Sequence, residues 1–241
     1  MQKTIRKSFE VSGISLHRGE PVFVRVRPAE ENSGITFLRK DVVGKDPVVK
    51  ALYNFVSETN LCTRISNKEG VSVQTIEHLM AALAGTGIHN AMVEIDGPEL
   101  PILDGSARGF VKKILEAGER TLGAPIRGYS VTKNVVVRND KAWARLSPAD
   151  DFSIDFKIDY SDTVIGKQTL ALLMRNGTFV RELCDSRTFC RDSEISLLKG
   201  KGLAKGGTLG NAVVIGAKKV ENAEGFRRAD ECVRHKMLDA M

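Results

Sequence analysis

Histidine is scarce in this 241-residue chain, and two of the four histidines, His78 and His235, stand beside carboxylates at spacings that matter chemically. In VRHKMLDA, His235 and Asp239 are four apart. On a helix that spacing puts both side chains on one face, one turn above the other. An imidazole and a carboxylate so placed can grip one divalent ion; the plain alternative is an i,i+4 charge pair on a solvated helix. In TIEHLMAALA, Glu77 directly precedes His78, so the two side chains leave the helix in different directions. With His78 as a ligand, Glu77 stands beside the ion rather than on it, where a carboxylate can take a proton from an attacking water. The HExxH helix uses the same logic, but here Ala82 occupies the position of its second histidine. A satisfied core histidine is the alternative for His78. Together, His78, His235 and Asp239 would leave one coordination position open, as in a catalytic zinc site. Two histidines and a carboxylate also serve non-haem iron, and spacing does not separate Zn2+ from Fe2+.

Strands and helices must hold these residues. Val22–Val26 reads as a strand with one apolar face, and residues 90–96 (NAMVEID) as a short apolar one. Thr75–Ala84 is strongly helical, with Thr75 near its N-cap and Gly85 and Gly87 past its end. Phe110–Glu116 reads as an amphipathic helix stopped by Gly118. Residues 119–128 carry Gly, Pro and charge without periodicity, so a boundary is placed there, giving domains 1–123 and 124–241. Beyond it, Val131–Arg138 and Ala142–Leu146 form a hairpin candidate around Asn139-Asp140, and Phe152–Tyr160 alternates cleanly. A helical stretch near Phe179–Asp185, a glycine-rich segment, a strand at Ala212–Ile215 and a closing helix near Glu224–Ala240 follow. The order predicts the α+β class, with two domains of similar build.

Composition narrows the function. Hydrophobic residues make up 42% and charged residues 27%, ordinary for a globular chain with a real core. No apolar run approaches the roughly 18 residues of a membrane span, and Glu10 interrupts any signal-peptide apolar region. Cys62, Cys184, Cys190 and Cys232 form no CxxC pair, which fits reduced thiols and a cytoplasmic location. The net charge of +6 suits an anionic ligand, but one Trp and three Tyr offer little for base stacking, so nucleic acid is not an expected partner. A phosphate cradle at Gly206-Gly207 is not expected either, because no GK[ST] follows.

Several long stretches, in order, carry a resemblance: GISLHRGEPV, TNLCTRISNKEGVSVQTIEHLMAALAGTGIHN, PELPILDGSARGFV, SRTFCRDSEI, GLAKGGTLGNAVV and VRHKMLDA. The chain resembles the UDP-3-O-acyl-N-acetylglucosamine deacetylases, zinc amidases of the committed step of lipid A biosynthesis, almost continuously from Gly13 to Met241. The resemblance implies two α+β domains packed helix layer to helix layer, with a zinc ion between them held by His78, His235 and Asp239. It implies Glu77 as general base, Thr188 as the hydroxyl that steadies the oxyanion, and Lys236 as a charge that helps hold the substrate. It further implies that Phe189 is a substrate-contacting aromatic, that Cys62 lies near the metal, and that Leu61 lines the same mouth. Leu197, Leu198, Leu203 and Val213 would form an acyl-chain passage, and Phe156 would stack on the uracil. The substrate is then UDP-3-O-acyl-N-acetylglucosamine, and a monomer is expected.

The pattern departs from the family in two places. Ile158-Asp159 stands where the family has His-Pro, which puts a negative charge near a diphosphate ligand. The family also continues past HKMLDA to an Asp and a His that protonates the leaving amine, whereas this sequence ends two residues after Asp239. The expectation is therefore a member lacking its C-terminal part, with an impaired or non-catalytic relative that binds metal and UDP-sugar as the alternative.

Overall fold

A computed structural model describes residues 1–140 and 142–241, and its architecture is α+β: small sheets with four α-helices among the described residues. The largest sheet has five strands in the order Phe9–Ile14, Pro21–Pro28, Ala91–Ile95, Ile35–Arg39, Val48–Lys50. Its neighbours run antiparallel except Ala91–Ile95 beside Ile35–Arg39, which are parallel. Val22, Val24 and Val26 point inward while Phe23, Arg25 and Arg27 point out, the period-two pattern of a half-buried strand.

Two helices lie against this first half. Helix α1 (Glu77–Gly85) buries His78, Leu79, Ala81, Ala82 and Leu83. Helix α2 (Arg108–Ala117) buries Phe110, Val111, Ile114 and Ala117, a stripe at helical spacing, and ends at Gly118 with φ +70°.

In the second half, Val135–Arg138 pairs with Trp143–Leu146, and Ser153–Tyr160 with Gly166–Leu173, both antiparallel. Phe189–Arg191 and Val213–Ile215 run parallel. Between these last two lies helix α3 (Asp192–Gly200), which buries no residue. Helix α4 (Glu231–Asp239) closes the chain.

Helix α4 joins two apolar cores. Met237 and Leu238 pack with α1, α2 and the five-stranded sheet, while Cys232 and Val233 pack with Ile158, Ile165, Val213 and Ile215. Each fully buried aliphatic side chain is worth about 1.5–3 kcal/mol. Two cores pulling on opposite ends of one short helix therefore fix its position, and with it His235 between them.

The structure corrects three details. Thr75 does not cap α1: it has φ +57°, and its hydroxyl donates to Glu99 Oε1 at 3.0 Å. Glu119–Thr121 is a strand paired with Lys3–Ile5, too short for its pattern to be read from sequence. The closing helix starts seven residues later than expected, because Gly225 (φ +67°) turns the chain and Glu231 is taken up by Arg187 and the Arg227 N–H. No helix of the described residues is long and apolar enough to cross a membrane.

Candidate metal centre

Helices α1 and α4 pack together, and their contact carries three potential ligands. His78 lies in the first turn of α1, which its buried neighbours Leu79 and Leu83 hold against the core. His235 and Asp239 lie one turn apart on α4. One ligand atom from each of the three lies within 4.8 Å of the other two. The His78 and His235 rings meet edge to face, with centroids 5.2 Å apart. His235 Nδ1 lies 2.9 Å from the Ser186 carbonyl, and Nε2 lies 3.4 Å from Asp239 Oδ1. As Nδ1 donates to that carbonyl, the tautomer is fixed and Nε2 keeps its lone pair toward the cluster, the usual arrangement around a ligating histidine.

Protonation states suit the same use. Burial, followed by the neighbouring His235, depresses the His78 imidazole to about 3. Burial also lowers His235. Burial alone would raise Asp239, but His235 and Lys236 outweigh it and leave the carboxyl below its ordinary range. Two neutral imidazoles and one carboxylate are the ligating forms of these groups, so the donor set fits a divalent ion such as zinc or iron(II).

Glu77 stands beside this set. Its Oε2 accepts the Thr63 N–H at 3.0 Å, which aims the carboxyl. Burial dominates its titration and, with repulsion from Asp239, raises it to about 7. A carboxyl poised near neutrality can exchange a proton in either direction. Cys62 is half-buried, and burial together with the Glu77 charge pushes its thiol up, so it stays protonated. Leu61, at φ +67°, is exposed.

The Lys236 ammonium donates to Asp239 Oδ2 at 2.9 Å and lies 5.5 Å over the Phe189 ring. Phe189 also meets Tyr160 edge to face at 5.5 Å. Thr188 precedes Phe189 and is clamped through its backbone: its N–H donates to the Gly105 carbonyl at 2.7 Å, and its carbonyl accepts the Val213 N–H at 2.8 Å.

The remaining predicted residues lie elsewhere in the fold. Phe156 packs against both apolar cores. Val213 is fully buried in the second core. On α3, Leu197 is 60% exposed and Leu198 half-buried, and Leu203 is half-buried on the following loop. Sequence reasoning missed the groups that orient the centre, the Ser186 carbonyl and the Thr63 N–H. Both are backbone atoms, which no residue pattern announces. It also missed Arg187, whose side chain is 2% exposed and pairs with Glu231.

Asp104 forms the turn expected of ILDGS: its Oδ1 accepts the Ser106 N–H and hydroxyl. Its Oδ2 accepts Arg227 Nη2 at 3.0 Å, which ties the turn to the segment before α4.

A family model described as UDP-3-O-acyl N-acetylglycosamine deacetylase matches residues 2–241. Proteins named UDP-3-O-acyl-N-acetylglucosamine deacetylase are similar over the whole chain. That of Phenylobacterium zucineum (strain HLK1) is 44% identical over 240 residues, covering 100% of this chain and 82% of its own length. That of Pasteurella multocida (strain Pm70) is 41% identical over 243 residues, covering 100% and 79%. That of Haemophilus influenzae (strain PittEE) is 40% identical over 244 residues, also covering 100% and 79%.

Proposed function

The chain belongs to the UDP-3-O-acyl N-acetylglycosamine deacetylase family, and from that premise we propose that it hydrolyses the N-acetyl group of UDP-3-O-acyl-N-acetylglucosamine in lipid A biosynthesis. The observation that carries this reading is the meeting of His78, His235 and Asp239 beside Glu77. These three side chains would hold a divalent ion, zinc first and iron(II) second. When bound, such an ion polarises the acetamide carbonyl and lowers the pKa of water from about 15.7 toward about 7.

The chain's own residues supply the rest. Glu77, oriented by the Thr63 N–H, accepts the proton of the attacking water. The proton it gains is then available to the departing amine. The Thr188 hydroxyl donates to the developing oxyanion, a contact whose loss typically costs about 10²–10³ in rate. Lys236 keeps a positive charge, because attraction to Asp239 outweighs the effect of burial, and it offers that charge to the anionic substrate. Phe189 and Leu61 shape the mouth, and Leu197, Leu198 and Leu203 offer apolar surface to the acyl chain.

The test is acetate release from UDP-3-O-acyl-N-acetylglucosamine by protein stripped with a chelator and reloaded with zinc, beside a Glu77→Ala control. Turnover that needs both metal and Glu77 supports the reading. Equal turnover by wild type and Glu77→Ala would remove it.

A further inference from the structure

Thr75 carries the one β-branched side chain at positive φ (+57°) among the described residues. The left-handed region crowds a branched Cβ against its own backbone, so such a residue stays there only where its surroundings hold it. Its place in the chain gives that strain a use. The strand Ser72–Gln74 ends one residue before it, and α1 begins two residues after it with Glu77 and His78. The whole turn from strand to helix is therefore made at Thr75 and Ile76.

Both sides of the turn are pinned. Gln74 donates its N–H to the Pro98 carbonyl at 3.0 Å, and its carbonyl accepts the Leu100 N–H at 3.1 Å. Those two bonds lay residues 98–100 alongside the end of the strand and bring Glu99 to Thr75. Glu99 is 1% exposed, and all its hydrogen bonds are accepted ones. Oε1 takes the Thr75 hydroxyl at 3.0 Å and the His17 N–H at 2.8 Å, and Oε2 takes the Arg18 N–H at 3.0 Å. Held from the turn at residues 15–20 as well, the carboxyl is a fixed point for Thr75 to lean on. On the helix side the Ile76 N–H reaches the Thr63 carbonyl at 3.5 Å, and the Thr63 N–H donates to Glu77 Oε2.

Relaxing Thr75 to an ordinary negative φ would carry its hydroxyl off Glu99 and leave it unpaired in a buried site, which is costly. It would also rotate the first turn of α1 against the strand, and that turn bears Glu77 and His78.

We propose that Glu99 is a positioning residue for the metal centre: its carboxyl holds Thr75 in the left-handed conformation, and that conformation sets the direction in which α1 presents Glu77 and His78 to His235 and Asp239. Glu99 is not one of the three converging ligands and acts through Thr75. The effect on turnover rests on the function proposed above, whereas the effect on metal binding does not.

Thr75→Val and Thr75→Gly test the proposal. Both remove the hydroxyl bond and leave Glu99 its bonds to the turn at residues 15–20, but only glycine is at ease at φ +57°. Zinc affinity is read by competition with a chromogenic chelator, and kcat and KM by acetate release from the zinc-loaded protein. Thr75→Val should bind zinc at least about tenfold more weakly and lose kcat by at least a similar factor. KM should change little, because the residues proposed to hold the substrate lie elsewhere. Thr75→Gly should retain most of both zinc affinity and kcat. Thr75→Ala, with a Cβ but no branch, should fall between them, and it makes the same comparison with glycine if the valine variant does not fold. Glycine falling as far as valine, or every variant binding zinc as the wild type does, overturns the proposal. Graded zinc affinity in a protein that releases no acetate would remove the function proposed above and leave the positioning role standing.

Discussion

Arg187 and Glu231 form a two-pronged ion pair, Nε to Oε1 at 2.8 Å and Nη2 to Oε2 at 3.1 Å, with side chains 2% and 1% exposed. The Arg187 N–H adds a third bond to Oε1 at 3.0 Å. The pair joins the loop that carries Ser186 and Thr188 to the first turn of α4, and so fixes the carbonyl that orients His235 relative to the helix that bears it. Removing one partner of such a pair typically costs about 3–5 kcal/mol; here that is an upper bound for Glu231, because Arg187 Nη1 also pairs with the exposed Glu224 at 2.6 Å. Glu231→Gln should lose stability up to that bound in urea unfolding, and Arg187→Met with Glu231→Leu should lose much less. Equal losses would show that the site tolerates a lone charge and that packing governs it instead.

Metal should stabilise the fold through the three converging ligands. A ligand at a hundred times its Kd adds about 2.7 kcal/mol to unfolding. Zinc should therefore raise the melting temperature of the chelator-stripped protein by several degrees, with little effect on His78→Ala or Asp239→Ala. A zinc shift that survives in both variants would place the ion elsewhere.

Glu77 should matter for rate and not for metal. Glu77→Gln keeps the size of the side chain and an oxygen to accept the Thr63 N–H. The variant should retain the zinc-induced thermal shift while kcat falls by about 10²–10⁴, the usual worth of a general base. Loss of the thermal shift along with the rate would make Glu77 a ligand.

Gly105 should be irreplaceable. Its φ is +82°, and a Cβ there would collide with the Asn211 carbonyl. Backbone strain alone costs about 1–3 kcal/mol. Gly87, at φ +76° with open space around it, incurs only that part. In parallel thermal melts Gly105→Ala should lose clearly more than Gly87→Ala, and because the Gly105 carbonyl accepts the Thr188 N–H, it should also lower turnover.

Asp104 should contribute to acid sensitivity. Burial raises its carboxyl, but bonds from Ser106 and Arg227 outweigh burial and hold it below the ordinary range. A group whose folded pKa is depressed stabilises the fold above its unfolded pKa, near 3.9, and that contribution fades as pH falls through the lower folded value. Asp104→Asn should thus be less stable near neutrality and lose less on acidification below about pH 4, as read from urea midpoints.

What the sequence disclosed and what it hid follow from which atoms do the work. His235 and Asp239 could be placed on one face because helical spacing is a property of side-chain order. Glu77 and His78 were legible for the same reason, as was the strand Ser153–Tyr160 from its alternation. The orienting Ser186 carbonyl and Thr63 N–H were not legible, because every residue carries such groups and only tertiary structure selects them. Thr75 reads as a cap by type, yet Glu99, distant in sequence, captures its hydroxyl and holds it outside the helix. Helix α3 escaped notice because none of its residues is fully buried, and the short pair Ile195 and Leu198 is all it has of an apolar stripe.

The chain leaves the parallel pair after Arg191, forms α3, and bonds through Lys205 and Gly206 to the turn at residues 15–20. With no residue of α3 fully buried, the excursion is held by its two ends, and the apolar side chains it carries are left free to meet a ligand rather than the core.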